Sequence, residues 1–494
     1  MVKSFFERYP EGIKRFFEIL IPAISWAVIT MPIWLSFSHP AVVAYFVVFF
    51  VVYWFYKSAF MAFHALRAYL TLTAHVRVDW FTLVKKKKDV EKVHHLVIIP
   101  EYKEPIHVLR QTIETILKQD FPHTQISICL ATEVRDEMAK ETVQRLKKEF
   151  ESRFAHFWVT THGLTPGEVA GKSSNMAYAA RACVDSFERL GYDLSYITVT
   201  SCDADALLHP KYFSYLTYRF LSDPLREFHF YQASIMFYSN IWSIPLPGRV
   251  LNTISSIFNL SLLSQDSRLI NFSTYTLSLK TAKEVGYWGV RVIPEDYHMF
   301  FKTYFHKGKE VRVVPIFLPI LVQAAQSSSF WKTLINQYEQ QKRWAWGVSD
   351  VPEVIVNYFT RKTVPVWDKT MRLFNLLESH IVWPTNWFIL TLGSTIPPLI
   401  NQNFARTAFG HNLSLYSSFI LTICIVFLFV VVYLDARSKP PRPQEFARWK
   451  IPLLYIQWIT LPVVSFFLSA LPGLDAHTRL MLGKRLEYRV TEKV

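Results

Sequence analysis

Three short stretches carry side chains whose types and spacing could do chemistry. Asp203 and Asp205 close the run YITVTSCDAD, Glu295 and Asp296 open EDYHMFFKTYF, and Gln340, Arg343 and Trp344 share NQYEQQKRWAWG. Residues i and i+2 of a strand point to one side, so Asp203 and Asp205 would converge there. Two carboxylates that close repel unless a cation lies between them. Hard oxygen donors suit Mg²⁺ or Mn²⁺, which would in turn hold a diphosphate. The same pair would serve equally as a polar turn in which an aspartate caps the next helix. Asp296 follows Pro294 and Glu295 where an apolar-periodic helix begins. It is either a helix cap, worth ~1 kcal/mol, or a general base aimed into a cleft, with Glu295 as a second catalytic carboxylate beside it. His298, close by, reads as structural. A helix over 330–347 places Gln340, Arg343 and Trp344 on one face. Arginine offers a planar, permanently charged fork for phosphate oxygens, and tryptophan offers a flat floor for a sugar ring. An interfacial helix with a snorkelling arginine and an anchoring tryptophan would look the same.

Another stretch misleads. Gly167 to Ser174 (GEVAGKSS) resembles a phosphate loop, but that motif needs four residues between its glycines and this one has three. With no GxGxxG elsewhere, nucleoside-triphosphatase and dinucleotide chemistry are set aside. Lys172, at a helix start, is kept as a phosphate-contacting candidate.

These residues need a frame. HLVIIP precedes a helical pattern at 106–119, ISICLAT one at 137–154, FWVTT one at 172–190 and YITVTSCD one at 210–222. Such alternation predicts an α/β domain with a mostly parallel sheet, whose ligands bind at the carboxyl ends of the strands. The chain has 494 residues, beyond a single core, and it is 51% hydrophobic yet 19% charged. That mixture fits a soluble domain joined to a membrane region. The four cysteines are scattered without metal spacing, and they read as reduced thiols. A net charge of +15 gathers near apolar segments, as in Lys85 to Lys88, which points to anionic lipid; no nucleic-acid-reading motif is present, so nucleic acid is not expected as a partner.

In this order, DxD, Glu-Asp at a helix start and QxxRW before a membrane block, the chain resembles the membrane-embedded family-2 inverting glycosyltransferases. These include the cellulose, chitin and hyaluronan synthases and the ceramide glucosyltransferases. The resemblance spans roughly residues 90–350. It implies a nucleotide-sugar-binding domain of the glycosyltransferase A type, and a Mg²⁺- or Mn²⁺-dependent hexosyltransferase using a nucleoside-diphosphate sugar. It implies that Asp203 and Asp205 bind the nucleotide diphosphate and metal, with Asp205 the direct ligand. Asp296 becomes the base, while Gln340, Arg343 and Trp344 hold the leaving diphosphate and line the acceptor site. The segment from Pro100 to Glu104 resembles the nucleotide-contact segment of the family. After the second strand many members carry an Asp pair; here Ala131-Thr132-Glu133 stands there, which leaves Glu133 as the candidate for the base contact. Pro294-Glu295 likewise replaces the common Thr-Glu.

Apolar runs at 18–36 and 41–57 approach the ~20 residues that cross a bilayer. Their connection FSHP lacks Lys and Arg while both outer flanks are basic, which predicts a hairpin with cytoplasmic ends. Further spans are expected at 381–400, 413–434 and 451–472, the last re-entrant or interfacial because basic segments flank it on both sides. Residues 240–272 are expected either as amphipathic helices on the membrane surface or, equally, as a plain surface-packed insertion. The expected organisation is a hairpin and linker over 1–89, a cytoplasmic catalytic domain over 90–360, and a membrane region with a basic tail over 361–494. The cell membrane is the expected location, with a polysaccharide or a membrane lipid as acceptor and oligomers possible. A non-catalytic sugar-nucleotide-binding membrane protein is the rival reading.

Overall fold

The computed structural model describes residues 6–444 and 446–486. Two helices open the chain, α1 (Pro10–Trp34) and α2 (Pro40–Arg77), each with a proline in its first turn, where a missing N–H costs nothing. They cover the apolar runs expected at 18–36 and 41–57. At 38 residues α2 is about 57 Å long, nearly twice the ~30 Å bilayer core, so its second half leaves the apolar layer.

Next comes the expected α/β domain. It runs β1 (His94–Pro100), α3 (Ile106–Leu117), β2 (Ile126–Glu133), α4 (Ala139–Phe150), β3 (His156–His162), α5 (Lys172–Arg189), β4 (Ile197–Ser201), β5 (Leu207–Leu208), α6 (Tyr212–Ser222) and β6 (His229–Met236). It continues with α7 (Leu246–Leu262), β7 (Tyr275–Ser278), α8 (Glu295–Lys307), β8 (Arg312–Leu321) and α9 (Phe330–Ala345). The strands make one mixed, mostly parallel sheet in the order β3-β2-β1-β4-β7-β6-β8-β5. Strands β1 to β4 are mutually parallel, whereas β7 runs antiparallel to β4 and β6. Almost all of β1, β2 and β4 is buried, as expected of parallel strands covered on both faces. One apolar cluster packs each face of the sheet.

Within 240–272 the helix α7 packs against α2 and β6, and Val250, Ile257 and Leu260 on it are fully buried, as a packed insertion would be. Two of its polar side chains bond to protein: Thr253 Oγ1 donates to Asp435 Oδ1 at 3.0 Å, and Asn252 Nδ2 donates back to the carbonyl of Gly248.

After α10 (Val351–Thr360) come α11 (Val366–Leu392), α12 (Ala408–Ser438) and a last helical stretch ending in α13 (Leu471–Met481). Among the described residues four helices are long and apolar enough to cross a membrane: Pro10–Phe37, Pro40–Arg77, Ala408–Ser438 and Leu453–Met481. The span expected at 381–400 is not one of them. Helix α11 carries Asp368, Lys369, Arg372 and Glu378 ahead of Pro384 and ends at Leu392, and a separate short helix covers Ile396–Ile400. Glu378 explains the position of α11: it pairs with Lys57 of α2 at 2.8 Å and with Arg268 at 2.7 Å. The segment expected at 451–472 runs on to Met481 through 3₁₀ and π turns around Pro462, a broken helix of 29 residues.

The two chain ends meet. Arg15 donates to the carbonyls of Leu480 and Met481 at 2.9 and 2.7 Å, placing a cation at the negative end of α13. Trp26 Nε1 donates to Thr478 at 3.0 Å, and Ser25 meets His477 at 3.2 Å. On its other side α13 holds α9, through Asp475 to Lys342 at 3.3 Å.

Helices α7 and α9 touch where a glycine makes room. A Cβ on Gly248 would lie 2.5 Å from Nε2 of Gln337, which is fully buried and bound to the carbonyl of Ala325 at 3.1 Å. Gly248→Ala is therefore expected to destabilise the protein by about 1–3 kcal/mol through overpacking, seen as a lower melting temperature in detergent.

Candidate active site

Strand β4 delivers the first acidic residue. Its antiparallel register with β7 pairs Ser201 with Tyr275, and continued two residues further it sets Ser273 opposite Asp203. The contacts follow that register. Asp203 N–H donates to Thr274 Oγ1 at 3.0 Å, and Ser273 Oγ donates to Asp203 Oδ2. The other carboxylate oxygen, Oδ1, accepts from Lys172 Nζ at 2.7 Å.

Lys172 opens α5 behind Gly171, whose φ of 142° suits a residue without a side chain. Its ammonium also reaches Glu295 Oε1 at 2.6 Å and the carbonyl of Ser273 at 2.9 Å. Burial alone would lower the pKa of Lys172, but the carboxylates of Asp203 and Glu295 raise it above its ordinary value.

Helix α8 begins with the acidic pair, and its two members differ. Glu295 is buried and takes Tyr275 OH at 2.9 Å, while Trp288 Nε1 donates to that hydroxyl at 2.7 Å. Burial pushes the Glu295 carboxyl up to about 7, opposed by Lys172 and reinforced by Asp296. Asp296 is only half-buried; its Oδ2 accepts from Ser273 N–H at 2.9 Å and its Oδ1 from Tyr297 N–H at 2.8 Å. A carboxylate fixed at a helix tip and still reachable has the geometry of a general base. His298 points elsewhere, to the buried Asp350 at 3.2 Å, in the structural role expected of it.

Asp205 serves a different segment. Its Oδ2 accepts from Gln323 N–H at 2.8 Å, tying it to the chain that leads from β8 into α9. On α9, Gln340 is buried, and Arg343 and Trp344 are half-buried. The Trp344 ring lies 5.3 Å from that of Phe237, the residue that follows β6. The sheet thus brings Lys172, Asp203 and Glu295 into direct contact, and Asp296 is joined to Asp203 through Ser273.

At the ends of β1 and β2, Pro100 and Glu104 are half-buried and Glu133 is buried. Glu133 pairs with Arg135, which stacks over the Tyr102 ring at 4.7 Å. Two carboxyls here were passed over by sequence reading. Burial, and then the neighbouring Asp136, push Glu101 up to about 8. Asp136 accepts from the backbone of Lys103 and Met138.

Among the described residues no group of three or more His, Cys, Asp or Glu side chains surrounds a common point. A divalent ion would therefore rest on one or two carboxylates plus diphosphate oxygens, a set that Mg²⁺ and Mn²⁺ accept. The acidic residues after β4 fit that requirement.

The family model of glycosyl transferase family group 2 matches residues 198–468, more than half of the chain. The chain belongs to glycosyl transferase family group 2. The match begins within β4, takes in α12 and stops inside the broken helix Leu453–Met481, whereas the motif resemblance began at residue 90. The fold, a mixed and mostly parallel sheet of the glycosyltransferase A kind between apolar helices, is that of this family. Among solved structures, the chain is similar to the mannosyltransferase PcManGT from Pyrobaculum calidifontis in complex with GDP-Man and Mn²⁺, at 12% identity and a TM-score of 0.42, covering 80% of this chain and 100% of that one. It is also similar to S. aureus TarS 1–349 in complex with UDP-GlcNAc, at 11% identity and a TM-score of 0.38, covering 71% of this chain and 93% of that one. Among curated proteins no sequence match is found.

For this group 2 glycosyltransferase, motif reading missed Ser273, Thr274, Tyr275, Glu101 and Asp136. For the first three, the alternation in FSTYTLS was the available signal, since it marks a short strand that could pair beside β4.

The ion cluster yields a pH-dependent expectation. The folded pKa of Glu295, about 7, lies above its ordinary 4.5, so its contribution to stability is complete below that ordinary value and is lost as pH rises to about 7. Lys172→Met leaves Asp203 and Glu295 without their cation. It is expected to cost about 3–5 kcal/mol near pH 8 and less near pH 5, where Glu295 takes up a proton. Thermal unfolding at both pH values checks this.

Proposed function

We propose that the chain is a membrane-embedded, inverting hexosyltransferase that moves a sugar from a nucleoside-diphosphate sugar to an acceptor hydroxyl at the cytoplasmic face of the cell membrane. The observation that carries this reading is Asp296, fixed at the tip of α8 and joined through Ser273 to Asp203. Membership of the family supports the transferase class, and four membrane-capable helices on both sides of the sheet support the location. We keep the division into a hairpin with linker over 1–89, a catalytic domain over 90–360 and a membrane region over 361–494.

The roles divide by geometry. Both oxygens of Asp203 are engaged by Lys172 and Ser273, so Asp203 orients the nucleotide, and Asp205 is the carboxylate that would hold a divalent Mg or Mn. Such an ion supplies charge neutralisation for the departing diphosphate. The Arg343 guanidinium adds a fixed positive charge that meets the diphosphate more strongly as negative charge builds on it, which lowers the barrier more than it tightens ground-state binding. Asp296 accepts the proton of the acceptor hydroxyl as that oxygen attacks the anomeric carbon from the face opposite the leaving group. One displacement inverts the anomeric configuration. Glu295, turned away to Lys172 and Tyr275, holds the ammonium in place and is not a second base. Gln340 and Trp344 line the acceptor side, and Pro100, Glu104 and Glu133 stand at the nucleotide end.

Two acceptors are consistent with this reading, a growing polysaccharide and a membrane lipid. Among the described residues four helices are membrane-capable, one fewer than the five spans expected, which leaves less room for a polymer threaded through a single chain and favours the lipid.

The test uses the full-length protein in lipid nanodiscs with a panel of UDP-, GDP- and TDP-sugars, with and without Mn²⁺ or Mg²⁺. Release of nucleoside diphosphate from one donor, dependent on the ion, is the expected result, and product size separates polymer from glycolipid. Donor binding without turnover for any acceptor supports the non-catalytic reading instead. Asp296→Asn is expected to abolish transfer while donor binding survives. Arg343→Lys is expected to lower kcat by about 10²–10³-fold with less effect on donor KM, read from initial rates.

A further inference from the structure

Resting on the transferase reading, we infer that Ser273 is a positioning residue that fixes Asp203 and Asp296 relative to each other. One residue makes all the connections. Its N–H donates to Asp296 Oδ2 at 2.9 Å, its carbonyl accepts from Lys172 at 2.9 Å, and its hydroxyl donates to Asp203 Oδ2. The backbone that permits this has a φ of 57°, in the left-handed region that non-glycine residues seldom occupy.

That conformation separates the backbone's part from the side chain's. The N–H and the carbonyl contacts need only the left-handed turn, and glycine would supply it at less strain. What serine adds is the hydroxyl, and the hydroxyl is used on Asp203. The neighbours hold the turn from both sides: Phe272 N–H donates to Gln232 Oε1 at 2.9 Å, Asn271 Nδ2 donates to the carbonyl of Asp296 at 2.7 Å, and Thr274 Oγ1 takes the Asp203 N–H. A carboxylate that orients the nucleotide and a carboxylate that takes the acceptor proton are thus spaced by a single residue, through its hydroxyl and its N–H. Ser273 need not touch the reacting atoms. It acts by keeping the base and the donor in one geometry, where small misplacements are costly in rate.

Ser273→Gly is the informative variant, because it removes the hydroxymethyl side chain while easing the backbone. In full-length protein in nanodiscs it is expected to melt at or above the wild-type temperature, yet to lose about 10- to 100-fold in kcat, with donor KM nearly unchanged. Ser273→Asn, which tolerates the left-handed turn and restores a donor, should recover part of that rate. Equal kcat in wild type and Ser273→Gly overturns the inference and leaves the transferase reading intact. A fall in kcat matched by a fall in melting temperature also overturns it, since that is a purely structural role. A wild-type protein that neither turns over nor binds a sugar nucleotide with Mn²⁺ overturns the transferase reading, and this inference with it.

Discussion

The ammonium of Lys172 is the interaction on which the site depends. It lies between Asp203 and Glu295 and against the carbonyl of Ser273, within the field of Asp296. Three acidic residues from two distant parts of the chain could not share that space in its absence, because each would have to pick up a proton or turn to solvent. A buried charge needs a partner, and here each partner is one of the groups the site requires. Glu295, the most enclosed of the three, is fixed by Tyr275 and Trp288 behind it, so the ammonium is anchored to the sheet as well as to α5.

This arrangement follows from one topological choice. A parallel sheet alone would leave the end of β4 open on the side away from β1. The antiparallel β7 closes that side and carries Ser273 and Thr274 to Asp203. The sheet therefore offers both a parallel half, with strand ends that suit a nucleotide, and a reversed strand that ties the nucleotide end to the start of α8.

Much of this was legible in the residues. The alternation of β-branched runs with helical periods located β1 to β4 and the helices after them, because each strand buried on both faces must be apolar along its length. Asp203, Asp205, Asp296 and Arg343 stood out because charged residues beside apolar runs need a reason. The rest depended on pairing over long sequence distances. Ser273 is an ordinary serine until the register with β4 sets it opposite Asp203. Asp136 lies three residues beyond the point where an acidic pair was sought, and only the fold returns it to Lys103. The expected span at 381–400 failed because the helix that covers its first half ends at Leu392, ahead of Pro397 and Pro398 in the separate helix Ile396–Ile400, a break that average hydropathy does not register. The segment 240–272 read equally as a surface helix or a packed insertion because its polar residues bond to protein groups that the local sequence does not contain.

Helix α9 carries Arg343, and it is bound through Lys342 to Asp475 on α13. That helix in turn ends on Arg15 of α1. During synthesis the whole sheet leaves the ribosome well before residues 471–481 exist, so α9 has no seat on that side until the final helix is made and meets the first. A chain cut before residue 471 would lack both the Asp475 partner of Lys342 and the packing of α13 on α9, so an edit at this distant helix would be felt on the helix that carries Arg343 and Trp344.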